Sequence, residues 1–181
     1  DLFLLKDIIK TKLNLEMAAT SEMSKIAKEV MPHFITIVPE KRDEITTEGG
    51  LNLISNENFY KRYVKDLKES NIVVSAFIDP IPSQIDCAKS IGFDCIELHT
   101  GTYANSALNN QFEQLQKIKE ATYYASDLNL LVNAGHGLNY QNVRGIASIT
   151  NMNELNIGHS IVARALAVGL EKSVREMKTL I

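Results

Sequence analysis

The stretch Leu130-Leu131-Val132-Asn133-Ala134-Gly135-His136-Gly137-Leu138-Asn139-Tyr140 carries an apolar run directly into a histidine held between two glycines. Glycine lets a backbone approach a ligand closely. A second junction of this kind, Leu155-Asn156-Ile157-Gly158-His159-Ser160, precedes an amphipathic stretch. Exposed N–H groups at a helix start favour an anion. Two successive strand-to-helix junctions of this type predict a phosphate pocket at the rim of a (β/α) barrel.

Strand-like and helix-like segments alternate along all 181 residues. The strand-like segments are short apolar runs, as buried parallel strands are. We predict strands at 13–17, 34–38, 72–78, 95–99, 130–133 and 155–157, and helices at 21–30, 57–69, 82–90, 110–126, 141–147 and 160–180. Six βα units of this kind predict a parallel α/β fold. The sequence shows no repeat, linker or low-complexity tract, so we expect one domain over residues 1–181.

The count of six units leaves two architectures to compare, because an open doubly wound sheet can have six strands and a closed barrel needs eight. Polar residues lie at the carboxyl ends of strand after strand, and an open sheet covered on both faces would find many of them costly. We therefore predict a TIM (β/α)8 barrel, of which this chain carries six βα units and lacks two N-terminal units of about 30 residues each. The polar residues that decide this are Asn14, Glu16, Glu97, His99, Asn133 and Asn156.

Composition excludes several classes of function. The net charge of −3 argues against a nucleic-acid surface, which is normally basic. The chain has no apolar run of about 18 residues and no visible signal peptide, so we expect no membrane span and a cytoplasmic location. Cys87 and Cys95 fall in apolar stretches and predict buried thiols rather than a disulfide. No cluster has zinc-ligand spacing, and neither Gly-rich junction matches a Walker loop or a dinucleotide fingerprint.

Several polar residues are candidates for chemistry, each with a structural alternative. Glu16 ends an apolar strand, where burial would raise its pKa and suit it to general acid–base work; it is otherwise a partly solvated or salt-bridged carboxylate. Glu97 and His99 face the same way and either exchange protons or form a structural pair. His136 is the strongest candidate, since a core histidine rarely sits in a glycine loop; general acid, general base and phosphate ligand are all open roles for it. His159 begins the last predicted helix, as a phosphate ligand through its backbone or as a cap.

Two further segments have less specific signals. The segment Pro39-Glu40-Lys41-Arg42-Asp43-Glu44-Ile45-Thr46-Thr47-Glu48-Gly49-Gly50 is dense in charges, hydroxyls and glycines. It is either a loop that folds over an anionic substrate or a solvated connection. His33 precedes a strand, at the end of a barrel opposite to the active site, and we expect it to be structural.

Six stretches, taken together, resemble the pyridoxine 5′-phosphate synthase family, whose members are barrel enzymes that close the pyridine ring in one route to vitamin B6. The stretches occur in the family's order from one end of the sequence to the other. They are Asn14-Leu15-Glu16-Met17-Ala18, Val38-Pro39-Glu40-Lys41-Arg42, Glu44-Ile45-Thr46-Thr47-Glu48-Gly49-Gly50-Leu51, Ile96-Glu97-Leu98-His99-Thr100-Gly101, Val132-Asn133-Ala134-Gly135-His136-Gly137-Leu138-Asn139-Tyr140 and Glu154-Leu155-Asn156-Ile157-Gly158-His159-Ser160-Ile161.

The resemblance implies a transferase-type, ring-closing reaction. The family condenses 3-amino-2-oxopropyl phosphate with 1-deoxy-D-xylulose 5-phosphate to pyridoxine 5′-phosphate, and releases phosphate and water. Amine attack, enolisation, dehydration and ring closure each move a proton, so general acid–base groups are expected. No redox cofactor or metal is expected to be required.

The resemblance also implies roles for individual residues. Glu16 matches a general base, His136 a general acid, and Glu97 a glutamate that steadies charged intermediates. Substrate-binding roles fall on a threonine in the loop after the second strand and on a backbone-rich phosphate site: Thr46, Gly137, Gly158 and His159.

The sequence departs from the family at its N-terminus. The family begins with a strand that carries an Asn-x-Asp-His motif, and its second strand carries a His-Leu-Arg motif followed by a basic stretch. Nothing in this sequence matches them, so we expect residues 1–181 alone to be inactive. The family assembles as a homo-octamer, and the expected partners are phosphorylated small-molecule substrates and inorganic phosphate, with no nucleic acid and no membrane.

Two other readings stay open. Another phosphate-binding barrel enzyme, such as an aldolase or an epimerase, would be favoured by a strand-end lysine poised for a Schiff base or by metal ligands. The strand ends here carry Glu, Asp, Asn and His instead. A truncated paralogue that serves only as an assembly subunit would be favoured by the replacement of Glu16 or His136, and both are present.

Overall fold

The computed structural model describes residues 1–40 and 49–181. Within these ranges helices and strands alternate, and the strand pairings are parallel, which confirms the predicted parallel α/β fold. The elements are α1 Leu2–Ile8, β1 Asn14–Met17, α2 Ser21–Val30, β2 Phe34–Ile37, α3 Glu57–Lys68, β3 Val73–Ile78, α4 Pro82–Ile91, β4 Cys95–His99, α5 Gly101–Asn105, α6 Leu108–Asp127, β5 Leu131–Gly135, α7 Val143–Ala147, β6 Met152–Asn156, α8 His159–Val168 and α9 Leu170–Lys178, with a short 3-10 helix at Ile54–Asn56.

The chain divides into two compact units, Asp1–Glu97 and Leu98–Ile181, and the division falls within β4. Strand order follows chain order in each unit, because every βα step places the next strand beside the one before. The first unit pairs β1 with β2 and β2 with β3, whereas the second pairs β5 with β6. The expectation of a single domain over residues 1–181 stays a prediction.

One face of the sheet in the first unit is wholly apolar. Side chains alternate between the two faces of a strand, and residues paired in parallel register share a face. The paired rows on this face are Leu15 with Ile35 and Val74, and Met17 with Ile37 and Ala76, all of them buried. Burial of these apolar side chains contributes to the hydrophobic stabilisation of the unit.

Local signals place the first long helix where the sequence predicts it. The side chain of Thr20 accepts a hydrogen bond from the backbone N–H of Met23, at 3.2 Å, and so caps the start of α2. The helix ends at Val30, and Met31 follows it as the C-cap in a left-handed conformation with φ of 50°. The predicted helix at 21–30 is confirmed residue for residue.

The end of the chain differs from the prediction of one closing helix at 160–180. Gly169, with φ of 84° and ψ of 154°, separates α8 from α9. This extended, positive-φ conformation is open to glycine and breaks the helical hydrogen bonding. The strand predicted at 155–157 lies earlier in the chain, since β6 spans Met152–Asn156. The short helices α1 and α5 were not predicted at all, since neither shows several turns of apolar spacing.

Both cysteine thiols are buried, and no disulfide joins them, as predicted. Burial raises the pKa of the Cys87 thiol, and the negative charge of Glu57 raises it further, so this thiol stays protonated at neutral pH.

No helix among the described residues is long and apolar enough to cross a membrane.

Candidate active site

The opposite face of the first unit's sheet carries a line of polar side chains. Glu16 on β1 pairs in register with Thr36 on β2, and Thr36 pairs with Ser75 on β3. Asn14 lies two residues before Glu16 and therefore on the same face. We call Asn14, Glu16, Thr36 and Ser75 the polar row. The sheet of the first unit thus has one apolar, buried face and one face able to bind polar groups.

The two buried hydroxyl groups of the polar row, on Thr36 and Ser75, differ in their hydrogen bonding. The Thr36 hydroxyl donates to Oδ1 of Asn14, with 3.1 Å between the oxygens. Ser75 is equally buried, at 1% exposure, yet its Oγ has no hydrogen-bond partner among the described residues. A buried hydroxyl without a partner is uncommon and costs free energy. Ser75 Oγ is therefore able to accept or donate one further hydrogen bond.

Glu16 is exposed, flanked along β1 by the buried residues Leu15 and Met17. Of the two interpretations of this carboxylate, its exposure fits the solvated one, and its catalytic role stays a prediction. The strand alternation turns Leu15 and Met17 onto the apolar face and leaves Glu16 on the polar one. Its carboxylate is consequently accessible to a ligand.

Strand β4 carries the predicted pair of polar residues, Glu97 and His99. They are separated by one residue and so share a face of the strand, as predicted from the alternation. Each is 3% exposed. A buried carboxylate and a buried imidazole at adjacent positions of one face have restricted rotamers and fixed surroundings.

The second unit holds His136 in an unusual backbone conformation. Its φ is 78°, in the left-handed region that side-chain-bearing residues rarely adopt. The Thr100 hydroxyl lies 2.7 Å from the carbonyl oxygen of Gly135 and 2.6 Å from that of His136. The backbone N–H of Thr100 also donates to the Gly135 carbonyl, at 2.8 Å. We call Thr100, Gly135 and His136 the histidine clasp. The clasp presents the His136 side chain in an exposed position.

Gly101 allows two histidine rings to approach each other. The ring centroids of His99 and His136 are 5.0 Å apart, with 53° between the ring planes. A Cβ atom added at Gly101 would lie 2.5 Å from Nε2 of His99 and 3.2 Å from Cδ2 of His136. Any larger residue at this position must displace a ring, so the glycine is a steric requirement of the ring pair.

Reciprocal asparagine hydrogen bonds fix the loop after the clasp. Oδ1 of Asn142 accepts from the backbone N–H of Asn139 at 2.8 Å, and Oδ1 of Asn139 accepts from that of Asn142 at 3.1 Å. The Asn142 amide donates to the carbonyl of Gly137, and Tyr103 donates its hydroxyl proton to the carbonyl of Asn142. The exposed Gly137, with φ of 81°, therefore belongs to a well-ordered turn.

Helix α8 begins at the second glycine–histidine junction. Gly158 is its N-cap and His159 its first residue; both are exposed, and Gly158 has no side chain with which to cap the helix. The Ser160 hydroxyl donates to the carbonyl of Leu138, at 2.9 Å, and ties this helix start to the loop after the clasp. Uncapped N–H groups at a helix start can hydrogen-bond an anion.

The structure brings together only some of the residues that the sequence predicts. Within the second unit it places His99 next to His136, and it links the turn of Gly137 with the start of α8. Thr46, the predicted substrate-contacting threonine, lies outside the described residues. Among residues 1–40 and 49–181, no group of three or more His, Cys, Asp and Glu is arranged to hold a metal ion.

Sequence reasoning missed three buried hydroxyl residues, namely Thr36, Ser75 and Thr100. A signal existed for the first two, since each is a polar residue inside an otherwise apolar strand. No local pattern distinguishes Thr100, because its role depends on a loop 35 residues further along the chain. His33 is structural as predicted, since its Nδ1 accepts a hydrogen bond from the backbone N–H of Leu13.

Comparisons of this chain with known families and known proteins agree on the family to which it belongs. The family model described as "Pyridoxal phosphate biosynthesis protein PdxJ" matches residues 1–181. This chain belongs to that family. It is 68% identical, over its whole length and 76% of the relative's, to "Pyridoxine 5'-phosphate synthase" of Prochlorococcus marinus (strain AS9601). It is 52% identical, over its whole length and 75% of the relative's, to the protein of the same name in Thermodesulfovibrio yellowstonii. The resemblance stated from the six motifs is confirmed.

Solved structures outside the PdxJ family resemble this chain in fold alone. A crystal structure of 3-hexulose-6-phosphate synthase superposes with a TM-score of 0.64 at 13% identity, over 99% of this chain and 78% of the other. A xylose isomerase domain protein from Planctomyces limnophilus superposes with a TM-score of 0.56 at 11% identity, over 96% and 73% of the two chains. The fold is TIM-barrel-like, which bears out the predicted class; the count of eight units stays a prediction.

Proposed function

We propose that this chain carries part of the active site of a pyridoxine 5′-phosphate synthase, a transferase-type enzyme. The reaction condenses 3-amino-2-oxopropyl phosphate with 1-deoxy-D-xylulose 5-phosphate and releases phosphate and water. Family membership and the names of the relatives support the activity. The observation that carries the chemistry is the exposed imidazole of His136, held at positive φ beside the buried ring of His99.

Proton transfers dominate the proposed mechanism. The Glu16 carboxylate removes protons from carbon and from the attacking amine, as a general base whose exposure on the polar face lets substrate reach it. His136 donates protons to oxygen atoms that leave as water, as a general acid. Glu97 is buried, so its charge acts in a low-dielectric setting on cationic intermediates.

The phosphate groups are proposed to bind at backbone N–H groups. Gly137 lies in an ordered, exposed turn, and Gly158 and His159 form the uncapped start of α8. Such N–H groups can hold a substrate phosphate and, after elimination, inorganic phosphate. Thr46 is proposed to contact substrate, as the family resemblance implies.

The wider setting of the site is also a proposal. We propose that the complete protein is a single eight-unit (β/α) barrel domain, that it works in the cytoplasm as a homo-octamer, and that residues 1–181 alone are inactive. The TIM-barrel-like fold supports the barrel. The inactivity rests on the N-terminal family motifs that have no counterpart in this sequence.

The direct test supplies the two phosphorylated substrates to the full-length protein and follows pyridoxine 5′-phosphate and inorganic phosphate. We expect the two products to appear in equal amounts. His136→Ala is expected to lower turnover about 100-fold or more, in the range that general acid catalysis contributes. The variant should stay folded, because the His136 side chain is exposed.

The matched control is His33→Ala, since His33 is also exposed but lies at the entrance to β2 and bonds the backbone of Leu13. Its turnover should stay within about twofold of the parent, because no acid–base role is assigned to it. Near-parental turnover of His136→Ala would remove His136 from the mechanism. Absence of product from the parent protein would overturn the proposed activity itself.

A further inference from the structure

We infer that Thr100 is a positioning residue for His136, because its hydroxyl fixes the backbone conformation that directs the imidazole. The inference rests on the proposed role of His136 as general acid, and adds a residue that acts through it. Thr100 itself is fully buried, whereas the His136 side chain is exposed. A substrate can therefore contact the His136 side chain, whereas Thr100 is buried and acts only through the backbone of His136.

His136 requires an external constraint to stay where it is. A non-glycine residue in the left-handed region is strained by about 1 kcal/mol or more relative to the right-handed or extended regions. The neighbours on both sides, Gly135 and Gly137, add freedom rather than restraint. A His136 without the clasp would sample several backbone conformations, and its ring would spend less time in any one place.

The hydrogen bonds of the Thr100 hydroxyl constrain the backbone torsions φ and ψ of His136. The carbonyl groups of Gly135 and His136 are separated in the chain by the φ and ψ bonds of His136. The Thr100 hydroxyl oxygen lies 2.7 Å from the Gly135 carbonyl oxygen and 2.6 Å from that of His136, so its one proton is shared between them. Sharing of this kind requires that the two carbonyls point towards the same place. Helical torsions of either hand let two consecutive carbonyls converge. We assign the choice of the left-handed torsions, with the observed φ of 78°, to the position from which the buried Thr100 hydroxyl reaches both oxygens.

The donor of this clasp is itself held in place. The Thr100 N–H donates to the same Gly135 carbonyl at 2.8 Å, and the Thr100 carbonyl accepts from the N–H of Ala104 at 2.9 Å, as the N-cap residue of α5. Because Thr100 is fully buried, these bonds are strengthened by the low local dielectric and are shielded from competing water. Thr100 is therefore fixed between the Gly135 carbonyl and the first turn of α5, and its hydroxyl has a defined position relative to the backbone of His136.

Three variants of the full-length protein separate positioning from general support. Thr100→Val keeps the shape and removes the hydroxyl, and Thr100→Ser keeps the hydroxyl. Thr122→Val is the matched control, since Thr122 is also fully buried and its hydroxyl donates to a backbone carbonyl, that of Ile118, at 2.8 Å. Both valine variants lose one buried hydroxyl group, which bonds two carbonyls in the case of Thr100 and one in the case of Thr122, but only Thr100→Val alters the clasp.

Turnover, KM and the φ angle of His136 in a crystal structure are measured for each variant. Thr100→Val is expected to lower kcat about 10-fold or more, to change KM less than about threefold, and to shift the pH profile of kcat. In its crystal structure His136 should leave the left-handed region or occupy several conformations. Thr100→Ser should restore kcat to within about threefold, and Thr122→Val should leave kcat and the φ of His136 unchanged.

The outcomes keep this inference apart from the proposed function. An unchanged φ of His136 in Thr100→Val, or equal kcat values for the two valine variants, overturns the positioning role. If His136→Ala retains full turnover while φ still shifts in Thr100→Val, the proposed general acid is wrong and the clasp stands as backbone support. Should Thr100→Val fail to fold, Thr100→Cys, whose thiol is a weaker donor of similar size, is measured in its place.

Discussion

The polar row of the first unit and the histidine clasp of the second present polar groups by different means. In the polar row, Glu16, Thr36 and Ser75 stand on three regular strands, and parallel register alone aligns them. In the clasp, a hydroxyl holds a strained residue between two glycines. In a regular strand, the place of a residue in the sequence fixes the face of the sheet on which its side chain lies. A loop requires tertiary hydrogen bonds to do the same.

This difference predicts where substitutions will act. A change in the polar row should alter one interaction, because each strand is supported by its own ladder and by the buried apolar face beneath it. A change in the clasp should alter several atoms together, because backbone and side chains constrain one another there. The following experiments test the contrast, beginning with the largest expected effect.

Gly101→Ala should have the largest effect, because its Cβ would lie 2.5 Å from Nε2 of the buried His99 ring. The ring must move or the start of α5 must shift, and overpacking of this kind costs about 1–3 kcal/mol. If the His99–His136 ring pair contributes to the chemistry, turnover should fall about 10-fold or more. Steady-state kinetics and urea denaturation of the full-length protein measure the two effects.

Gly92→Ala is the control for this substitution. Gly92 has φ of 99° and open space around its missing Cβ, so alanine there is strained without touching a neighbour. It should lower stability by about 1 kcal/mol and leave turnover unchanged. Equal turnover for the two variants would show that close approach of the rings is not needed, and the contrast between the two regions would weaken.

Ser75→Ala and Thr36→Val should have opposite effects on stability. Ser75→Ala removes a buried hydroxyl that has no partner among the described residues, so stability should stay the same or rise by about 1 kcal/mol. Thr36→Val deprives Oδ1 of Asn14 of its donor and should cost about 1 kcal/mol. Urea denaturation compares them. A loss of more than about 1 kcal/mol in Ser75→Ala would mean that Ser75 makes a stabilising interaction in the folded protein.

The smallest effect concerns the helical layer that supports the polar row. The Tyr63 hydroxyl donates to the carbonyl of Thr20, at 2.8 Å, in the segment after β1. Burial first, and the charge of Asp66 second, raise the pKa of Tyr63 to about 12. Between pH 10 and 12 the unfolded chain releases the phenolic proton while the folded chain retains it, so stability falls as pH rises through this window.

The free energy of unfolding should therefore decrease more steeply from pH 9.5 to 11.5 in the parent than in Tyr63→Phe. At neutral pH the variant should lose only about 1 kcal/mol, for one hydrogen bond, and keep its turnover. Parallel pH curves for the two proteins would refute the raised pKa. A large loss of turnover would mean that the helical layer does more than support the strands.

Much of the first unit could be predicted from the sequence. Helix 21–30 was predicted residue for residue, because Thr20 is a capping residue and the apolar spacing behind it is helical. The shared face of Asn14 and Glu16 follows from the two-residue period of a strand. The exposure of Glu16 did not follow, since the depth of a side chain depends on what the rest of the fold places above it.

The second unit was harder to predict. His136 was chosen because glycines flank it, but nothing in its sequence shows that its φ is positive or that Thr100 holds it. The break at Gly169 was missed for a related reason, since glycine permits a helix break without requiring one. A residue that permits several conformations leaves the choice to its tertiary contacts.

The sequence by itself determined the alternation of strands and helices, the parallel α/β class, the family, and the candidate residues Glu16, Glu97 and His136. These follow from local periodicity and from motifs, which are properties of neighbouring residues. Only the tertiary structure decided which polar side chains share a register across strands, which buried hydroxyl has no partner among the described residues, and how a threonine holds a histidine 36 residues away. Those outcomes depend on contacts between distant segments, whose geometry is set when the apolar face is buried.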